Sequence, residues 1–278
     1  IAGLAAFASM FQIHPEVSPQ AAAATRKPVD AASEQKDWNH YGNSSNNDRF
    51  AALDQINVDN VNQLQVAWTF HTGDVPKSAG AGAEDQLTPL QVGDKVFLCT
   101  PSNNVIALDA DTGQQLWRHD TNSHVGGVWE RCRGLAYFDA EAPLAQPSVP
   151  GSTPVQAVAL PATGSCKRRI LMNTIDARLF ALNADTGALC DDFGTHGVVD
   201  LKQGLGNIAN PAYYTLTSAP TVAGTTIVIG GRVADNVQVD MPGGVIRGFD
   251  VVTGAQRWAF DAGSATPNAL LSPGQTYT

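Results

Sequence analysis

A few short stretches hold the side chains with the most chemical capacity. Trp129-Glu-Arg-Cys-Arg-Gly134 carries Arg133, whose planar guanidinium presents fixed donors suited to a carboxylate or quinone oxygen. A surface arginine paired with Glu130 or Asp139 is the plainer alternative. Ile227-Val-Ile-Gly-Gly-Arg-Val-Ala-Asp-Asn-Val237 runs a buried strand into two glycines and then presents Asp235 and Asn236. A carboxylate beside an amide oxygen offers the hard ligands that Ca2+ and Mg2+ prefer. An Asx turn in a solvated loop would use the same two residues. Thr215-Leu-Thr-Ser-Ala-Pro220 sets the hydroxyls of Thr217 and Ser218 ahead of an apolar run, where they can donate to a carboxylate or close an ordinary turn. Ala83-Glu-Asp-Gln-Leu-Thr-Pro-Leu90 places the Gln86 amide just after two acids.

Other patterns fall away. Gly204-Leu-Gly-Asn-Ile-Ala209 has dinucleotide-loop spacing, but Asn210-Pro211 blocks the helix such a loop must open. Asp109-Ala-Asp-Thr-Gly113 starts like a calcium loop, yet no glutamate closes it at the twelfth position. Nucleophile-elbow, zincin and Walker sequences are absent. His40, His71, His119, His124 and His196 are scattered and take no role.

The elements that must position these residues show as a repeat. Ala107-Leu-Asp-Ala-Asp-Thr-Gly-Gln-Gln-Leu-Trp117 returns as Ala181-Leu-Asn-Ala-Asp-Thr-Gly187 and as Gly248-Phe-Asp-Val-Val-Thr-Gly254-Ala-Gln-Arg-Trp258. Alternating apolar residues lead into each Asx-x-x-Thr-Gly turn, where the Asx side chain accepts from backbone N–H groups and glycine takes positive φ. Trp117 and Trp258 follow as flat wedges suited to the gap between stacked sheets. A unit used three times predicts an all-β fold of propeller type. Apolar alternation predicts strands at Leu64–Phe70, Leu135–Phe138 and Thr221–Ile229, and Val58, Val61 and Leu64 predict one helical turn. Two irregular insertions, Thr121–Gly164 and Phe193–Tyr214, are where a rigid scaffold usually carries a site.

Composition narrows the function. A formal net charge of −9 without a basic stripe argues against a nucleic-acid partner. Residues 1–14 are almost wholly apolar and are expected to be the end of a transmembrane helix; residues 15–36, rich in Ala, Pro and Ser, read as a linker. That anchor exports the remainder, so the four cysteines lean toward disulfides. Of three connectivities, Cys166–Cys190 is favoured, because Cys166 opens one strand and Cys190 follows the next hairpin.

Asp37-Trp38, Tyr41-Gly42, Arg49-Phe50, Gln55-Ile56-Asn57, Ala67-Trp68 and Thr72-Gly73-Asp74 together resemble the opening of the pyrroloquinoline quinone (PQQ) dehydrogenases. Thr88-Pro-Leu, Cys132-Arg-Gly134, Cys166-Lys-Arg-Arg-Ile170 and Val245-Ile-Arg-Gly-Phe-Asp250 continue the likeness, which is strongest to the membrane-bound glucose dehydrogenases. The resemblance implies an eight-bladed propeller, of which residues 37–278 are the N-terminal part, with wedges that act as the family's tryptophan-docking motif. It implies that Arg133 contacts quinone oxygens of PQQ, that Thr217 and Ser218 lie near its carboxylates, and that Asp235 and Asn236 hold Ca2+ or Mg2+. Relatives carry Glu where this chain has Gln86, which leaves an amide toward the cofactor. The alcohol enzymes have two adjacent cysteines near Cys132, and the glucose enzymes a histidine at Trp129; this chain has neither. The implied activity is oxidation of an aldose, with electrons passed to ubiquinone in the bacterial inner membrane and the propeller in the periplasm. The family's catalytic aspartate would fall past Thr278. A PQQ alcohol or polyol dehydrogenase and a non-catalytic periplasmic scaffold are the alternatives.

Overall fold

The structure, a computed structural model, describes residues 37–44, 47–51, 53–75, 82–142, 166–206 and 208–277. The expected helix end at 1–14 and the linker at 15–36 lie outside the described residues. Among those described, no helix is long and apolar enough to cross a membrane.

The chain enters through β1 (Ala83–Thr88) and then builds its first blade from β2 (Leu90–Val92), β3 (Lys95–Cys99), β4 (Val105–Asp109) and β5 (Gln115–His119). After β6 (Glu130–Gly134) comes a second blade of β7 (Ala136–Asp139), β8 (Arg168–Asn173), β9 (Arg178–Asn183) and β10 (Val198–Asp200). The short β11 (Tyr214–Thr215) precedes a third blade of β12 (Thr221–Ala223), β13 (Thr226–Gly230), β15 (Ile246–Asp250) and β16 (Gln256–Phe260), with β14 (Arg232–Val233) on an excursion between β13 and β15. Each blade is an antiparallel meander of neighbouring strands. The fold is a partial β-propeller.

Sheets stacked against sheets must be apolar on both faces, so inner strands lose the polar alternation of a half-solvated sheet. Val105–Leu108 of β4, Ile170–Met172 of β8 and Leu179–Leu182 of β9 are buried without interruption. The repeated turns form as their composition dictates. Asp109 Oδ1 accepts from the Thr112 N–H at 2.8 Å and its hydroxyl at 2.7 Å, and Asn183 Oδ1 from the N–H groups of Asp185 and Thr186 at 2.8 and 3.1 Å. Asp250 Oδ1 does the same for Val252 and Thr253. The indoles dock on the next blade's turn. Trp68 Nε1 donates to the Ala110 carbonyl at 3.0 Å and Trp117 Nε1 to the Ala184 carbonyl at 3.1 Å. A Cβ added at Gly113 or Gly187 would fall 2.5 or 2.6 Å from the respective ring, so only glycine admits the wedge.

Several expectations change. Leu64–Phe70 pairs with no strand among the described residues; Trp68 and Phe70 instead pack on the Leu98, Ile106 and Leu108 cluster. Alternation sets an extended backbone but not a ladder partner. Thr221–Ile229 is two strands, because Gly224 at φ +58° turns the chain between Ala223 and Thr226. The helical turn is a 3-10 turn at Val61–Gln63. Cys166–Cys190 forms as expected, and Cys99–Cys132 ties β3 to β6.

Candidate functional site

β1 and β6 run parallel, with Glu84 opposite Arg131 and Asp85 opposite Cys132. Cys132 is buried in the core and bonded to Cys99. With a period of two, Arg131 and Arg133 therefore share the opposite face of β6, and Glu84 and Gln86 line up with them on β1. The disulfide fixes the strand that presents both guanidiniums.

Arg133 is held from two directions. Its Nε donates to Gln86 Oε1 at 2.9 Å and its Nη1 to Thr217 Oγ1 at 2.7 Å, across 84 residues of sequence. Gln86 in turn donates through Nε2 to Glu84 Oε2 at 2.8 Å, and Arg131 Nη1 stands 3.5 Å from that same oxygen. The plain pairing of Arg133 with Glu130 or Asp139 is not what forms. Glu130 accepts from the Ser102 hydroxyl at 2.8 Å and meets His124 Nδ1 at 2.8 Å, and Asp139 lies beside Tyr137 and caps Glu141. Burial, reinforced by Asp139, pushes the Tyr137 phenol up. Ser102 also binds Asp74; burial would raise that carboxyl, but hydrogen bonds from Thr100 and Ser102 outweigh it and hold it below its ordinary value.

Arg131, Arg133, Thr217, Ser218, Gly230, Gly231 and Arg232 line a cavity of about 390 Å³ between β6 and the third blade's excursion. That size lies within the range of small-molecule sites. Gly231 is required: a Cβ there would meet the Tyr214 ring at 2.2 Å. Gly134 likewise admits the Tyr41 ring, which brings the entry segment against the end of β6.

The structure thus joins Arg133, Thr217 and Ser218 around one space, with Gln86 behind Arg133. It does not bring Asp235 and Asn236 to that wall. Both are exposed just past β14, and the Asn236 amide N donates to Asp235 Oδ2 at 3.2 Å. No cluster of three or more His, Cys, Asp or Glu side chains with metal-binding geometry occurs among the described residues. Sequence reasoning missed Arg131 and Arg232; the readable signal was the Arg-Cys-Arg alternation, once Cys132 is known to face the core.

The fold is a propeller whose blades are locked by indoles, with a cationic cavity beside a parallel strand pair. Residues 38–278 match the family described as "PQQ: Glucose/ethanol/alcohol dehydrogenase, beta-propeller domain", and the chain belongs to it. It is 55% identical over 96% of its length to the quinate/shikimate dehydrogenase (quinone) of Acinetobacter baylyi, covering 33% of that protein. It is 53% identical to a probable quinate dehydrogenase (quinone) of Xanthomonas campestris pv. juglandis, over 89% of this chain and 31% of that one. The quinoprotein glucose dehydrogenase of Escherichia coli matches at 39%, over 87% of this chain and 29% of that one. The chain therefore spans about a third of the length of these curated relatives. Among solved structures, the quinohemoprotein alcohol dehydrogenase of Comamonas testosteroni superposes with a TM-score of 0.59 at 23% identity, over 83% of this chain and 28% of that one, which is likeness of fold.

Proposed function

We propose that the propeller binds PQQ in the Arg133 cavity and that the enzyme oxidises a ring hydroxyl of a quinate- or shikimate-type acid. The observation that carries the reading is the Gln86–Arg133–Thr217 linkage, which sets Arg133 beside Thr217 and Ser218 on the cavity wall. PQQ is a flat tricarboxylate, and one fixed guanidinium with two hydroxyls suits it. Substrate class is argued from similarity: two relatives named for quinate stand at 55% and 53%, against 39% for the glucose enzyme. Trp129, where the resemblance puts a histidine in the glucose enzymes, departs in the same direction. Its ring lies over Gly82, half exposed.

Bound PQQ supplies a two-electron acceptor for alcohol oxidation. The chain's own contribution is orientation and charge. Arg133, fixed by Gln86 and Thr217 before any ligand arrives, loses little freedom on binding and stabilises negative charge on the cofactor's oxygens. The hydroxyls of Thr217 and Ser218 would help hold its carboxylates. Asp235 and Asn236 supply two hard oxygens for Ca2+ or Mg2+, a donor chemistry that fits the ion but needs further ligands to complete a shell of six or more. We name no catalytic base among these residues. Electrons pass to ubiquinone, and the enzyme sits at the bacterial inner membrane with the propeller in the periplasm. Both placements rest on the family resemblance.

Aldose oxidation is the second reading, favoured by the 39% match to the Escherichia coli glucose enzyme. Dye reduction by the full-length protein, supplied with PQQ and Ca2+ or Mg2+, separates the two. Quinate or shikimate is expected to exceed glucose in kcat/KM by more than about tenfold, since a site built for one set of polar groups rejects another strongly. Equal or faster glucose turnover overturns the quinate reading. Absence of PQQ absorbance would favour a scaffold.

A further inference from the structure

Three guanidiniums line the candidate cavity, and their commitments differ. Arg133 gives two of its five N–H donors to Gln86 and Thr217 and is fixed by them. Arg131 is less committed. Its Nε is buried with no hydrogen-bond partner among the described residues, and its contact to Glu84, at 3.5 Å, is longer than a hydrogen bond between charged groups. Glu84 Oε2 already accepts from Gln86 at 2.8 Å, so the carboxylate nearest Arg131 is shared. The Nε itself is shut off from solvent, so what Arg131 offers the cavity is the exposed quarter of its side chain, which no closer acceptor than Glu84 engages among the described residues.

We infer that Arg131 is the anchor for the carboxylate of the substrate, and thus a specificity-determining residue for acidic over neutral polyols. The inference rests on the quinate-type reading above. Geometry gives the anchor its place. Arg131 and Arg133 lie two residues apart on one face of β6, held by the Cys99–Cys132 bond behind them, so their guanidiniums are neighbours along one wall. A cofactor oriented by Arg133 and a substrate acid gripped by Arg131 would sit side by side. A carboxylate fits a guanidinium fork through two parallel N–H donors, which fixes the ring it belongs to as well as binding it. Arg232, across the cavity and exposed, adds long-range attraction for the same charge.

The test uses the full-length enzyme carrying PQQ and metal, with quinate and its methyl ester, which keeps the ring hydroxyls but lacks the charge. Wild type is expected to favour quinate. Arg131→Gln is expected to lose about 10- to 100-fold in kcat/KM on quinate, chiefly through KM, and to leave the ester nearly unchanged. Arg131→Lys restores part of the loss, because it returns charge without the fork. PQQ content, read by absorbance, stays at the wild-type value in both variants. Equal loss on acid and ester, or no loss on quinate, overturns the anchor while leaving the cyclic-polyol reading intact. Turnover of neither compound by wild type overturns both. Should Arg131→Gln fail to fold, Arg131→Lys decides: a quinate KM raised several-fold with the ester's unchanged supports the anchor, and equal changes on both compounds, or none on quinate, contradict it.

Discussion

The turns at Gly187 and Gly254 share one pattern and receive different partners. At Gly187 the Trp117 indole, only 8% exposed, lies on the glycine and donates to Ala184. At Gly254 no indole arrives. Phe193 and Val199 approach it, the Gly194 N–H donates to the Thr253 carbonyl at 2.9 Å, and Arg169 Nη1 donates to the Val252 carbonyl at 2.8 Å. The second repeat explains the change. Four residues beyond its glycine, where the other two repeats carry Trp117 and Trp258, stands Asp191, and the neighbouring Cys190 is bonded to Cys166. The blade contact is thus a geometric requirement met in two ways: by one flat ring, or by a disulfide-braced loop with a buried guanidinium.

Four measurements sharpen or break that comparison, all by denaturant unfolding of the full-length protein. Trp117→Ala should cost the most, about 3–5 kcal/mol, because it leaves a cavity between blades and an unmatched Ala184 carbonyl. Arg169→Met should cost about 3 kcal/mol, since it strands the Asp192 carboxylate, paired at 2.6 Å, and the Val252 carbonyl. A loss below about 1 kcal/mol would mean the second contact does not depend on Arg169. Gly187→Ala and Gly93→Ala share positive φ, worth about 1–2 kcal/mol of strain. An added Cβ meets the indole only at Gly187 and nothing within 4 Å at Gly93. Gly187→Ala should therefore lose more, and equal losses would deny that the ring seats on the turn.

The smallest effect is a pH dependence. Burial would raise Asp176, but hydrogen bonds from Arg178, Thr174 and Ser123 outweigh it and hold it below its ordinary value of 3.8. Asp250 is lowered in the same way by the backbone N–H groups of Thr253 and Val252 against its own burial. A lowered carboxyl stabilises the fold above its unfolded value, and that stabilisation fades as pH falls from 3.8 through the folded value. Asp176→Asn should flatten the acid limb. An unchanged limb would assign acid unfolding to other groups.

The repeat was legible because turn chemistry is local: Asp109, Thr112 and Gly113 announce their hydrogen bonds within five residues. Pairing is not local. Leu64–Phe70 has a strand's alternation yet only its rings are anchored, and Thr221–Ile229 read as one strand because a single Gly224 weighs little in an apolar run. The site divides likewise. Arg133, Gln86, Thr217 and Ser218 were nominated from motifs and resemblance, but nothing in their spacing joins Arg133 to a hydroxyl 84 residues away. Arg131 escaped notice because an arginine beside a core cysteine reads as a solvated face until the Cys99–Cys132 bond shows which way β6 is turned.

The central claim is that Arg133, clamped by Gln86 and Thr217, holds PQQ. Titration of full-length apoprotein with PQQ, followed by cofactor absorbance, tests it directly in wild type and Arg133→Leu. The account predicts saturable binding in wild type that weakens by about 10- to 100-fold in the variant, the span for a lost charged hydrogen bond. The same dissociation constant in both proteins would contradict it.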